Sequence, residues 1–121
     1  MAKIKWLRIK RFAVDHLPQG VNSIRIHATT AIARDVAGYL ERQADRVSLL
    51  LNVRYAKTEA HALVITCHEL AHLINDGDAH NEAHEKKKKE LIENAAHCFD
   101  YSLADLEVAR EAIEQTLIDN Q

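Results

Sequence analysis

A chain of 121 residues with 47% hydrophobic and 28% charged side chains, three glycines and one proline has the balance of a helix-rich globular domain, and residues 1–121 read as one unit. The formal charge of −2 excludes nucleic-acid binding driven by bulk charge, and no apolar run approaches the roughly 18 residues a membrane span needs. Two cysteines, Cys67 and Cys98, are too few for a disulfide framework or a four-cysteine zinc ribbon. Their apolar, helical surroundings predict buried free thiols. The start, MAKIKWLRIKRF, is basic and lacks a signal peptide's apolar region, so a cytoplasmic location is expected.

In chain order, IKWLRIKRF alternates partly, which predicts an edge strand or an extended basic arm over residues 1–12. HLPQG reads as a turn, and SIRIH, with Ile24 and Ile26 inward, as a short strand. Thr29 or Thr30 then caps a helix to about Arg42, with Ile32, Val36, Tyr39 and Leu40 on one face. VSLLLN, residues 47–52, is a second strand candidate. Thr58 caps the next helix, Glu59 suits its first turn, and Leu63, Cys67, Leu70 and Ile74 form its buried stripe. That helix ends at Asn75–Gly77, a further helix runs from about Ala79 to Phe99, and the last begins at Ser102. The predicted order is strand, helix, strand and three helices: an α+β, helix-dominated fold.

The second half of the Thr58 helix reads His68-Glu69-Leu70-Ala71-His72. Histidines four apart project from one helix face and can converge on one ion. Glu69 is rotated about 100° from His68, which lets it reach a water on the ion rather than the ion itself. This is the mechanical content of H-E-x-x-H, two imidazole ligands and a general base, and zinc is the metal such ligands favour. Apolar Ile65, Leu70, Ala71 and Leu73 predict a buried helix, where unpartnered imidazoles are costly and a metal gives them a role. His61 lies about 10 Å back along the helix, too far for a shared ion, and reads as a partly exposed side chain.

A catalytic zinc takes three protein ligands and leaves a position for water. Asp78 stands where a metzincin-type pattern puts its third ligand, although Asn75 replaces the glycine that pattern needs. His80 and His84 follow a glycine-containing turn at the start of the next helix, and Glu90 and Glu93 lie further along it. HELAHL followed by a turn and HNEAH resembles the SprT-like and WLM group of zinc metallopeptidases over roughly residues 47–92. The resemblance implies a small zincin-like domain, zinc held by His68, His72 and His80, and Glu69 as the base. His84 stands where that group has an aromatic, either as a packing substitute or as a competitor for the metal. Residues 93–99, ENAAHCF, are similar to a segment of ImmA/IrrE-like peptidases and imply Glu93 as the alternative third ligand.

Both resemblances imply the same chemistry. A zinc-bound water, deprotonated by Glu69, attacks a peptide bond of a protein or peptide substrate, and Glu69 returns the proton to the leaving amine. The group that steadies the resulting oxyanion stays open among Tyr55, Tyr101, Arg54 and the downstream histidines. A reading from a different class is a non-catalytic zinc-binding interaction module. EKKKKE, residues 85–90, spreads its lysines over all helix faces and reads as a solvated surface paired with neighbouring glutamates. The sharper reading is a basic patch, with Lys3, Lys5, Arg8, Lys10 and Arg11, that keeps the chain near DNA, as the SprT-like resemblance implies.

Overall fold

The computed structural model describes residues 4–75 and 81–119. Its elements are α1 (Trp6–Asp15), β1 (Ser23–Thr29), β2 (Gly38–Gln43), β3 (Arg46–Asn52), α2 (Glu59–Ile74), α3 (Glu82–Phe99) and α4 (Leu103–Asp119). The fold is α+β and helix-dominated, as the sequence predicts, but two elements differ from that reading.

The first difference is the N-terminal segment, which is helix α1 and neither an edge strand nor an extended arm. Ile9, Phe12 and Ala13 recur at helical spacing and are buried. Aromatic contacts fix the helix, with Phe12 edge-on to Phe99 at 5.8 Å between ring centroids. Arg8 is part of this packing. It lies over the Phe99 ring at 4.5 Å and pairs with Glu59 at 3.1 Å.

The second difference is the segment from Thr30 to Arg42. No helix forms there; the chain runs irregularly to Ala37 and then becomes strand β2. Two distant side chains impose this path. The Asn52 amide donates to the carbonyls of Ala33 (3.2 Å) and Val36 (2.9 Å), and the Tyr55 hydroxyl donates to the carbonyl of Arg34. Thr29 accepts from the Ala31 amide at 3.0 Å, a local turn bond that replaces the expected cap. β2 returns into β3 through Ala44 and Asp45, with Ala44 at φ +54. Such a two-residue hairpin usually carries Asn-Gly or Asp-Gly, so this turn had no sequence signal.

The sheet has the order β1-β3-β2, with β1 parallel and β2 antiparallel to the central β3. Val47, Leu49 and Leu51 alternate inward from β3 and are at most 2% exposed. They meet α2, the central helix, which touches β2, β3, α1, α3 and α4. Thr58 caps α2 by accepting from the His61 amide at 3.2 Å. Leu63, Cys67 and Leu70 are fully buried on the predicted stripe.

Burial pushes the Cys67 thiol well above its ordinary range, while Cys98, expected to be buried, is exposed on α3. A thiol reagent should therefore modify Cys98 in the native chain and reach Cys67 only on unfolding. Native labelling of Cys67 at the rate of Cys98 would contradict this burial. Among the described residues no helix is long and apolar enough to cross a membrane.

Candidate metal centre

α2 and α3 lie against each other, and their contact gathers histidines. His68 and His72 sit one turn apart on α2, half-buried, with Nε2 atoms 3.2 Å apart and rings nearly perpendicular. The third member of the cluster is His84 from the first turn of α3, fully buried. Its ring centroid lies 4.8 Å from that of His68 and 4.0 Å from that of His72. Each of the three rings offers one nitrogen within 4.8 Å of the others, close enough to bind one metal ion.

His84 reaches this place for reasons present in its own helix. The Asn81 side chain caps α3 by accepting from the His84 amide at 3.0 Å, which fixes the first turn. His84 then begins the inward stripe of α3, followed by Lys88, Leu91, Ala95 and Phe99. Its Nε2 lies 3.3 Å from the main-chain carbonyl of His68, which ties that turn to α2.

The other predicted ligands fall differently. His80 and Asp78 lie outside the described residues. Glu93 is exposed, and at nine residues from His84 it points to the opposite side of α3. Glu90 is exposed and paired with Lys87 at 3.0 Å. His61 is partly exposed, as expected, with its Nδ1 2.6 Å from the Thr58 hydroxyl. Its burial and nearby Lys57 lower its pKa.

His68, Glu69 and His72 open on a cavity of about 400 Å³, bounded by Gly38 of β2, Lys88 of α3 and Arg110 of α4. Lys88 departs from the expected solvated lysine run, being only 8% exposed. Gly38 lets the sheet pass close to the candidate base. A Cβ added there would stand 2.8 Å from Ile65 Cγ2 and 3.2 Å from Glu69 Cγ. Gly38→Ala should therefore push Glu69 aside and destabilise the fold by about 1–3 kcal/mol, as overpacking does. Urea unfolding checks the second effect; an unchanged midpoint would show that this approach is looser than it looks.

One pair of the donor set has the spacing of ligands on a tetrahedral ion, and the full set lies within 4.8 Å. A metal–nitrogen bond of about 2.0–2.1 Å with tetrahedral angles separates ligand nitrogens by roughly 3.3 Å. The His68–His72 separation of 3.2 Å already has this value. Comparison with known proteins gives no family: no family model, curated protein or solved structure matches the chain.

Proposed function

We propose that the chain is a zinc-dependent metallopeptidase, with His68, His72 and His84 as the metal ligands and Glu69 as the general base. The observation that carries this reading is the convergence of three imidazoles from α2 and α3, two of which, His68 and His72, open with the Glu69 carboxylate on one cavity. An all-nitrogen set of neutral imidazoles favours zinc over the oxygen-seeking cations. Zinc in such a site supplies Lewis acidity and brings the pKa of coordinated water to about 7.

The chain's own residues supply the rest. Glu69 sits next to His68 in sequence but a third of a turn round the helix, so its carboxylate takes and returns a proton without occupying a ligand position. The Gly38 backbone against its side chain limits where that carboxylate can go. A peptide suits the neighbouring surface. β2 is an edge strand, and Gly38, Tyr39 and Leu40 border the cavity. Its outer side, unpaired among the described residues, offers main-chain donors and acceptors to an extended chain. The walls contributed by Val64, Ile65 and Ile113 are apolar and suit a hydrophobic side chain of that peptide.

The test is digestion of an unfolded protein such as casein by the zinc-loaded chain, followed by mass spectrometry. Cleavage should stop with a zinc chelator and return with added zinc. A chain that binds zinc and never cuts would be a binding module, and one that binds no zinc would lose both readings.

A further inference from the structure

The wall of the cavity beside the histidines includes a lysine that the metal-site reading leaves without a task. Lys88 lies one turn beyond His84 on the same face of α3, about 6 Å along the axis. Its side chain is 11% exposed, whereas Lys86 and Lys89 of the same run are open to solvent and Lys87 is partly so. Burying an ammonium costs several kcal/mol unless charge compensates it. Here the compensation among the described residues is one ion pair, to Glu85 at 3.1 Å, and the Glu85 side chain is 57% exposed. Arg110, the other cation of the cavity, is held by two carboxylates, Glu107 at 2.8 Å and Glu114 at 2.7 Å.

Two of the groups expected from the sequence to steady an anionic oxygen are engaged elsewhere. The Tyr55 hydroxyl donates to the Arg34 carbonyl, and the Tyr101 hydroxyl donates to Glu59 at 3.1 Å. Neither tyrosine, nor Arg54, lines the cavity. Lys88 does, together with His68, Glu69 and His72.

We propose that Lys88 forms an anion subsite beside the metal centre. It receives an anionic oxygen of whatever ligand occupies the open metal position, either a carboxylate or the oxyanion that develops at an attacked carbonyl. This rests on the metal-site reading but not on peptide hydrolysis. The nearby charges are Asp35 before β2, Glu69 on α2, Glu85 on α3, and Arg110 and Glu114 on α4. Of these, Glu85 competes directly for the Lys88 ammonium.

The experiment loads the full chain with cobalt(II), whose visible absorption reports its coordination, and titrates it with acetohydroxamate, a metal-binding anionic oxygen ligand. Lys88→Met should keep the cobalt and bind the ligand roughly tenfold more weakly, the low end for losing a hydrogen bond to a charged group. Lys89→Met, which removes an exposed charge from the same helix, should bind as the wild type does. Glu85→Gln should bind more tightly, because it frees the ammonium. Equal affinity in Lys88→Met and wild type overturns the proposal. If Lys88→Met does not fold, unchanged or weaker binding by Glu85→Gln overturns it instead. A wild-type chain that takes up no cobalt defeats the metal-site reading itself, an outcome distinct from both.

Discussion

Replacing His84 with alanine should lower zinc affinity more than about a hundredfold, beyond the usual loss from residues that only support a ligand. His84 is fully buried and closes the cluster from the α3 side, so its removal leaves two half-exposed imidazoles on one helix. Metal content by mass spectrometry of the dialysed protein measures the effect. Because the substitution also opens a cavity, His84→Gln, closer in volume, belongs beside it and should lose zinc as well. His80→Ala should keep its metal. The reverse pattern, with zinc lost from His80→Ala and kept by His84→Ala, would return the third position to His80.

Glu69→Gln should retain one zinc per chain and lose peptide hydrolysis by about 10²–10⁴-fold, the range for removal of a general base. The amide keeps the side chain's shape beside Gly38, so metal binding and stability should barely move. Hydrolysis at the wild-type rate would remove Glu69 from the mechanism. Gly38→Ala offers an intermediate case. It leaves the carboxylate in place chemically but moves it, so hydrolysis should fall while zinc is retained.

The sequence was a good guide where structure is decided locally. Thr58 as a cap, the stripe of Leu63, Cys67 and Leu70, and the apolar run of β3 each reflect neighbours in the chain, and each appears in the fold. β2 was not legible because Asn52 and Tyr55, well downstream, hold the preceding loop, and because Ala44 turns the hairpin without a glycine. α1 was missed because its apolar positions fit two periods, and contacts with distant residues, Phe99 and Glu59 among them, favour the helical one.

The histidine cluster was half legible. Spacing alone pairs His68 with His72, but the partner from α3 depends on how two helices meet. His84 stood among the sequence candidates, and its own helix carried a further signal for it. Asn81 is a good cap, and His84 is in phase with Leu91, Ala95 and Phe99, the buried stripe of its helix.

Because the candidate ligands come from two helices, an ion bound by them is also a cross-link. It joins α2 to the first turn of α3 and closes the chain between His72 and His84 into a ring. A ring restricts the unfolded chain more than the folded one, as a disulfide does, so part of the binding energy becomes folding energy. Loss of metal should therefore be felt first as fraying of α3 from its N-terminus. Amide hydrogen exchange from Ala83 to Lys88 should speed up in the apo chain, while the middle of α2, buried on the sheet, stays protected.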